Sequence, residues 1–259
     1  MRIERWLAAG VLILCGCAKD ADESGTRGEY GRVAFNYQRS CFFGCPLEQP
    51  LLVGARERIT VTGVADDEHV TASSSDEELA RFAIERSCFC QRGDDPTGRF
   101  EIANGAGCDA PYRKHCDNDV LVEALGEGDP ILELRDATGA ALDRVPLRVR
   151  EAAEAEFEAT FRDQLGAQPG TSFDLEAGES IELALALYDA DGRKLLAPEG
   201  VHYRVQDPAV ATVTAFLIGG GAELDAGLDT VVQGKAEGDT ELAVDVPGLR
   251  ATLAISVLR

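Results

Sequence analysis

The segment Ile181-Glu-Leu-Ala-Leu-Ala-Leu187 alternates large apolar residues with glutamate or alanine. Because successive side chains of a β-strand point to opposite faces, this period of two predicts a strand with one buried face. Similar short runs occur at 33–37 and 145–149, and Gly, Asp and Pro separate such runs along the chain. About seven short strands per ~100 residues are typical of a β-sandwich. The sequence therefore predicts an all-β protein.

The stretch 151–163 is compatible with two kinds of secondary structure. Its Ala and Glu content and the spacing of Phe157 and Phe161 suit a helix. The alternation of Ala155, Phe157, Ala159 and Phe161 suits a strand instead. We expect the strand.

The chain contains an internal repeat, which indicates two copies of one structural unit. Val122-Glu-Ala-Leu-Gly-Glu-Gly-Asp129 corresponds to Val232-Gln-Gly-Lys-Ala-Glu-Gly-Asp239, with Val, Glu, Gly and Asp shared. Other blocks follow in the same order, and they place Phe82 against Val213, Glu57 against Glu179 and Ile59 against Ile181. The repeat predicts two tandem sandwiches at about 31–150 and 151–259.

The N-terminal residues have the layout of an export signal. Two arginines precede the nine uncharged residues Trp6–Leu14, and this run is shorter than the ~20 apolar residues that a membrane-spanning helix needs. The string Leu14-Cys-Gly-Cys17 resembles the bacterial lipobox, apart from Cys15, where Ala or Ser is commoner. The resemblance implies a signal peptide at 1–16, acylation of Cys17 and, from Ala18, an outer-membrane location. An ordinary signal peptide cut elsewhere is the alternative.

The rest of the composition agrees with a body held above a membrane. Residues 17–30 are rich in Asp, Glu, Ser and Gly and predict a flexible tether. The net charge of −21 argues against nucleic acid or anionic lipid as a partner, since both would be repelled. The expected membrane contact is the acyl anchor at Cys17.

Six cysteines remain if Cys15 leaves with the signal and Cys17 carries lipid. They are Cys41, Cys45, Cys88, Cys90, Cys108 and Cys116. An even number in an exported protein predicts three disulfides, and the sequence leaves their pairing open. Cys88 and Cys90 are close enough that we expect them to bond to different partners. Zinc, with His115 as a further ligand, is the alternative, although paired Cys-x2-Cys knuckles are missing.

The first copy of the repeat carries an insertion that contains four of these cysteines. Phe82 and Val122 lie 40 positions apart, whereas Val213 and Val232 lie 19 apart. We predict a disulfide-stapled insertion at about 85–118, on one edge or end of the first sandwich. A bridge across such a loop contributes ~2–4 kcal/mol, mainly by restricting the unfolded chain.

Aromatic and basic residues gather beside the cysteines, and they form the candidate binding loop. Its residues are Phe42, Phe43, Phe89, Tyr112 and Arg113. Arg86, Arg92, Arg99 and Lys114 add four further basic residues to the insertion. Aromatic and Arg side chains on a rigid loop are what binding surfaces favour. The alternative is that the aromatic rings pack beneath the disulfides.

The second unit resembles the bacterial Ig-like domains of group 2. The resemblance lies in Ala177-Gly-Glu-Ser-Ile181, His202-Tyr-Arg-Val205, Asp207-Pro-Ala-Val-Ala-Thr-Val213 and Gly234-Lys-Ala-Glu-Gly238. Tyr203 stands where the family has Trp. The resemblance implies two tandem immunoglobulin-like β-sandwiches, and a role as a spacer or binding unit of a bacterial surface protein. Physically, the Asp-Pro pair predicts a turn, with Val210 and Val213 packing inward.

The sequence offers little for chemistry. It has three histidines and neither a Gly-x-Ser-x-Gly elbow nor a His-Glu-x-x-His motif, so we expect no enzyme and no cofactor. Asp189-Ala-Asp191-Gly192 begins like an EF-hand loop, but the rest of that loop is missing. We therefore expect a turn there, with Asp189 and Asp191 as weak calcium candidates.

These observations predict a lipid-anchored, non-catalytic interaction or adhesion module of the bacterial cell envelope. The expected partner is another envelope or surface protein, or a polymer, and not nucleic acid. A structural spacer without its own ligand is the alternative. A calcium- or zinc-binding protein is the third possibility.

Overall fold

The computed structural model describes residues 25–38, 47–92, 99–102, 106–161, 168–197, 201–214, 223–226 and 229–259. Within these ranges the chain forms twenty-one β-strands. None of the described residues forms a helix long and apolar enough to cross a membrane. The predictions for the signal peptide, Cys17, Cys41, Phe42, Phe43 and Cys45 lie outside the described residues.

The strands of the first half build two facing sheets and a short connecting pair. They are β1 (Thr26–Arg27), β2 (Ala34–Tyr37), β3 (Leu51–Leu52), β4 (Arg56–Thr62), β5 (Thr71–Ser74), β6 (Ala80–Gln91), β7 (Phe100–Ile102), β8 (Arg113–Ala124), β9 (Ile131–Arg135), β10 (Ala141–Pro146) and β11 (Val149–Arg150). The six-stranded antiparallel sheet has the order β1-β2-β4-β8-β6-β7, and the three-stranded sheet has the order β10-β9-β5. Strands β3 and β11 pair in parallel.

The strands of the second half build two five-stranded sheets. They are β12 (Glu154–Phe161), β13 (Gln168–Pro169), β14 (Ser172–Glu176), β15 (Ser180–Tyr188), β16 (Val201–Val205), β17 (Ala211–Thr214), β18 (Glu223–Ala226), β19 (Asp229–Gly234), β20 (Gly238–Val246) and β21 (Leu249–Leu258). Their orders are β13-β12-β15-β19-β17 and β14-β21-β20-β16-β18. Among the described strands of these two sheets, only the β14–β21 pair is parallel. The predicted all-β fold with two immunoglobulin-like sandwiches is confirmed.

Each half has its own hydrophobic cluster, built from the alternating residues of its strands. Ile181, Leu183, Leu185 and Leu187 are all buried in the second cluster, as the period of two predicts. Tyr203 is fully buried in the same cluster. Burying each large apolar side chain stabilises the fold by ~1.5–3 kcal/mol, so these residues hold the two sheets together.

Cross-strand register tests the internal repeat residue by residue. Phe82 pairs with Val122 on the adjacent strand, and Val213 pairs with Val232 in the same way. The predicted correspondence of these blocks is therefore confirmed.

The block around Glu57 is shifted by two residues from the predicted correspondence. Val122 lies opposite Glu57, whereas Val232 lies opposite Ile181. Glu57, only 5% exposed, thus takes the sheet position of Ile181. A two-residue slip leaves every side chain on the same face, so alternation alone did not reveal the shift.

The insertion predicted at 85–118 is mainly an extension of two strands and not a loop. Strands β6 and β8 pair continuously from Ala80 opposite Ala124 to Gln91 opposite Arg113. Their neighbour β4 ends at Thr62, one residue after the Val61–Asn118 pair. The hairpin therefore runs on past β4, and β7 adds a third strand on the edge side of β6. At ~3.4 Å per residue, the twelve residues of β8 span about 37 Å.

The flexible tether predicted for 17–30 does not extend through residues 25–30. Residues Thr26 and Arg27 form β1 and pair with β2. Thr26 Oγ1 also accepts a hydrogen bond from the Leu47 backbone N–H at 2.8 Å. Residues 26–30 are thus bonded to the sandwich.

The two sandwiches meet in a junction, where each hydrophobic core contains residues from the other half of the chain. Leu52 donates its backbone N–H to the Leu196 carbonyl at 2.9 Å, and Leu196 donates to the Pro50 carbonyl at 2.8 Å. Leu196 is packed in the first hydrophobic cluster, while Leu52 and Ala55 are packed in the second. The two units are therefore joined through shared packing at this point.

Candidate functional site

Two disulfides hold the outer half of the β6–β8 hairpin. Cys88 lies directly opposite Cys116 in the strand register and is bonded to it. Cys90 is bonded to Cys108. The prediction that Cys88 and Cys90 have different partners is confirmed. Because these bonds use the sulfur atoms that would ligate zinc, the zinc alternative is not supported.

The turn at Asp66–Glu68 braces the hairpin from one side. The Cys116 backbone N–H donates to Asp66 Oδ1 at 2.9 Å, and His115 Nδ1 lies 3.5 Å from Asp66 Oδ2. The Arg86 guanidinium donates to the Glu68 carbonyl at 2.6 Å and also to the Asp66 carbonyl. These contacts fix the hairpin at the point where it leaves the sandwich.

Phe89, one of the candidate binding residues, is buried. Its position agrees with the alternative interpretation, in which the aromatic rings are packing residues. Its side chain is only 7% exposed. The Arg99 guanidinium carbon lies 4.1 Å from the centre of the Phe89 ring, and the His115 ring is stacked at 5.7 Å between centroids. Such cation–π contacts are favourable even at the surface. Burial raises the pKa of the neighbouring Asp117 carboxyl, and the positive charge of Arg99 opposes that rise.

The exposed aromatic side chain of the hairpin is Phe100, which was not among the predicted binding residues. Phe100 is 49% exposed and contacts Tyr112 edge to face, with 5.2 Å between centroids. Tyr112, a predicted binding residue, is half-buried, and the adjacent Arg113 is exposed. Phe100 and Tyr112 each lie next to an arginine in the sequence, Arg99 and Arg113 respectively. This shared pattern was the signal by which Phe100 could have been predicted.

In the part of the chain that the structure describes, the basic side chains at the outer end of the hairpin lack the ion pairs that basic residues of the same sheet form nearer the junction. Arg56, Arg58 and Arg81 each lie within ion-pair distance of a carboxylate. The pairs are Arg56–Glu123 at 2.9 Å, Arg58–Glu85 at 2.6 Å, Arg58–Asp119 at 3.3 Å and Arg81–Glu123 at 3.9 Å. Within the described residues, no such pair involves Arg92, Arg99, Arg113 or Lys114.

The hairpin is also closer to neutral, for its length, than the whole chain. Residues 85–118 contain five Lys and Arg against six Asp and Glu, a net charge of −1, whereas the whole chain carries −21. We call the part of the hairpin formed by Arg92, Phe100, Tyr112, Arg113, Lys114 and Arg99 the hairpin tip.

A half-open groove of about 670 Å³ lies along the hairpin below the tip. It is lined by Asp67, His69, Val70, Thr71, Ala72, Ile84, Arg86, Cys88 and Lys114. Lys114 thus belongs to both the tip and the groove, and its ammonium group adds positive charge to the groove.

The candidate calcium ligands form a turn that is closed by an arginine. The Asp189 carboxylate accepts the backbone N–H of Asp191 at 3.0 Å and of Arg193 at 2.8 Å, and the Arg193 side chain at 2.9 Å. Asp191 is also paired with Arg193. Burial by itself would raise the pKa of Asp189, but these hydrogen bonds hold it below its usual range. The described residues include no cluster of three or more His, Cys, Asp or Glu side chains suited to a metal.

Comparison with protein-family models and with curated proteins finds no match. Several solved structures are similar at low identity. Domains 5–6 of the S-layer protein SbsC are 15% identical, with 82% of this chain and 94% of that chain covered and a TM-score of 0.31. The Yersinia pseudotuberculosis adhesin InvE is 13% identical, with 81% and 57% covered and a TM-score of 0.29. The fibronectin(III)-like modules of Clostridium thermocellum CbhA are 14% identical, with 86% and 93% covered and a TM-score of 0.23. The assignment of the fold rests on the strand order and register.

Proposed function

We propose that this chain is a lipid-anchored, non-catalytic protein of the bacterial envelope that binds a surface component through the hairpin tip. The anchor is an acyl group on Cys17, and the outer membrane is the location that the residue after it supports. The second unit is a bacterial Ig-like domain of group 2. The observation that carries the proposed binding role is the set of cations that form no ion pair within the described residues, together with an exposed aromatic ring, on a doubly cross-linked hairpin.

The position of the tip suits a binding surface. At the opposite end of the hairpin, the Ala124 backbone N–H donates to the Ala55 carbonyl at 3.0 Å, and Ala55 packs in the second hydrophobic cluster. The length of β8 therefore separates the tip from the junction by about 37 Å. The part of a ligand that contacts the tip would therefore lie away from the junction.

The rigidity of the tip lowers the cost of binding. Its strands are fixed by two disulfides and by the hydrogen bonds from Arg86 and Cys116 to the Asp66–Glu68 turn. Ordering a flexible loop on binding costs about 0.5–1.5 kcal/mol for each immobilised side chain, and a rigid loop avoids part of this cost. Arg, Tyr and Phe are also the residue types that binding surfaces favour.

The second candidate function is a structural spacer, and the junction favours it. Shared packing of Leu196 in the first core and of Leu52 in the second holds the two units together without a free linker. Such a joint would stabilise a spacer, but a spacer does not require a group of basic residues and an exposed aromatic ring at one end. We therefore prefer the binding function.

Two experiments test the proposed function. The first fractionates cells that produce either the natural protein or Cys17→Ser. We expect the natural protein in the membrane fraction and the variant in the soluble envelope fraction. Both proteins in the soluble fraction would contradict the lipid anchor.

The second experiment adds the soluble Cys17→Ser protein to envelopes from cells that lack this protein. Arg99→Gln/Arg113→Gln/Lys114→Gln should abolish most of the binding. The matched control Arg56→Gln/Arg58→Gln/Arg81→Gln, on the same sheet, should bind like its parent. Equal binding by the two triple variants would favour the spacer.

A further inference from the structure

We infer that the ligand of the hairpin tip is an acidic polysaccharide, a sugar polymer that carries carboxylate groups. This inference rests on the proposed binding function and names its ligand class.

The cations of the tip lie on both faces of the hairpin. Cross-strand neighbours share a face of a sheet, and Cys90 lies opposite both Phe100 and Lys114. Phe100 and Lys114 are therefore on the disulfide face. Arg113, one residue from Lys114, belongs to the opposite face.

Arg99 adds positive charge on the face opposite the disulfides. There its guanidinium lies over Phe89, whose cross-strand partner is His115. A rigid protein surface would contact one face of a hairpin, whereas a polymer chain can pass over the tip and contact both.

The exposed ring of Phe100 supplies a contact that sugars use. Half of its surface is open to solvent, and Tyr112 holds the ring at a fixed angle of 72°. The face of an aromatic ring carries partial negative charge, so it attracts the C–H groups of a sugar ring. Lys114, on the same face as this aromatic pair, and Arg113, on the opposite face, can both bind carboxylates, with Arg able to form two parallel hydrogen bonds. Together they match a polymer of acidic sugars.

The negative charge of the rest of the protein disfavours binding of polyanions that carry more charges per unit length. The second half, residues 151–259, has 7 Lys and Arg against 20 Asp and Glu, a net charge of −13. Double-stranded DNA carries a charge every ~1.7 Å, so a long duplex near this body is strongly repelled. A sugar polymer is more sparsely charged, and at physiological salt the repulsion falls off within about 8 Å. The ligand is therefore expected at the tip, which carries Arg92, Arg99, Arg113 and Lys114.

The test measures equilibrium binding of the purified full-length protein to polygalacturonate, with dextran and a DNA duplex as comparison polymers. In about 50 mM sodium chloride, where charges are weakly screened, we expect binding to polygalacturonate and none to dextran or DNA. Arg99→Gln/Arg113→Gln/Lys114→Gln should weaken this binding at least about tenfold. The control Arg56→Gln/Arg58→Gln/Arg81→Gln should change it by less than about twofold.

Phe100→Ala separates the aromatic contact from the charge. With all cations kept, it should weaken polygalacturonate binding by about threefold to tenfold. Far-ultraviolet circular dichroism and a count of free thiols check that each variant keeps its fold and its disulfides. Equal affinity for DNA, binding to dextran, or equal loss in the two triple variants would overturn the inference. If the protein does not bind polygalacturonate but its binding to envelopes still depends on the tip, the inferred ligand class is wrong and the proposed function stands.

Discussion

The carboxylate of Asp143 accepts the backbone N–H of Val33 at 2.9 Å, across 110 positions of the sequence. It also accepts the backbone N–H of Tyr30 and of Arg32, each at 2.8 Å. Asp143 is 0% exposed, and its buried carboxylate also accepts the backbone N–H of Arg144 at 2.9 Å. Three of these four backbone donors thus come from the N-terminal segment. A Cβ added to Gly28 would lie 2.2 Å from the carboxylate, so this position requires glycine. Asp143 therefore attaches residues 28–33 to the first sandwich.

Replacing Asp143 by Asn should destabilise the protein by about 2–4 kcal/mol, since an amide nitrogen would face buried N–H donors and leave them without an acceptor. Urea unfolding of Asp143→Asn measures this loss. The exposed Asp174 provides the control, and Asp174→Asn should stay within about 0.5 kcal/mol of the natural protein. Equal stability of the two variants would contradict the role given to Asp143.

Leu196→Ala should destabilise the first sandwich although Leu196 lies in the sequence of the second. Its side chain is packed in the first hydrophobic cluster, and truncating a buried leucine costs about 2–5 kcal/mol. Hydrogen exchange of the Val120 and Val122 amides reports on that core. The control Leu258→Ala removes a side chain that is 52% exposed, and it should leave this exchange unchanged. Unaltered exchange in Leu196→Ala would mean that the two cores are independent.

The disulfide pairing makes a prediction that peptide mapping can test. Proteolysis without reduction should release one linked peptide pair with Cys88 and Cys116 and another with Cys90 and Cys108. Cys88→Ala/Cys116→Ala should lower the free energy of unfolding by about 3 kcal/mol, since the bridge closes a loop of 28 positions. A Cys88–Cys108 link in the natural protein would contradict the described hairpin.

Stability should fall in alkaline solution because of two buried tyrosines. Burial, together with the negative charge of Glu57 near Tyr37 and of Asp229 near Tyr203, raises the pKa of both hydroxyls far above the usual value. Below pH ~10 both are protonated in either state, so their contribution is fully present. As the pH rises above ~10, the unfolded chain loses these protons first, and stability falls by about 1.4 kcal/mol per pH unit for each tyrosine.

Tyr203→Phe should therefore reduce this alkaline slope by about half, which urea unfolding between pH 9 and about 12 measures. The control Tyr30→Phe alters a side chain that is 48% exposed, and it should keep the natural slope. An unchanged slope in Tyr203→Phe would contradict the role of burial.

The strands with alternating residues and the Asp-Pro turn could be predicted from the sequence. The period of two in Ile181–Leu187 corresponds to strand β15 with its apolar side buried, because alternation follows directly from strand geometry. The Asp-Pro turn is also as predicted. The Val210 backbone N–H donates to the Asp207 carbonyl at 3.1 Å, and both Val210 and Val213 are buried.

The structure of the hairpin tip could be predicted only in part. Strand β6 continues through Ser87-Cys-Phe-Cys-Gln91, where both faces carry buried residues and the alternation is lost. The burial of Phe89 depends on Arg99, ten positions away, and no local pattern encodes that contact. The role of Asp143 likewise depends on residues more than 100 positions earlier in the chain.

The intact mass of the protein purified from its native host tests the account most directly, because both the anchor and the stapled hairpin require export to an oxidising compartment. We predict a chain that starts at an acylated Cys17 and that lacks the thiol hydrogens of the six remaining cysteines. A mass that corresponds to a chain with Met1 retained and all eight cysteines reduced would contradict the anchor, the disulfides and the surface role together.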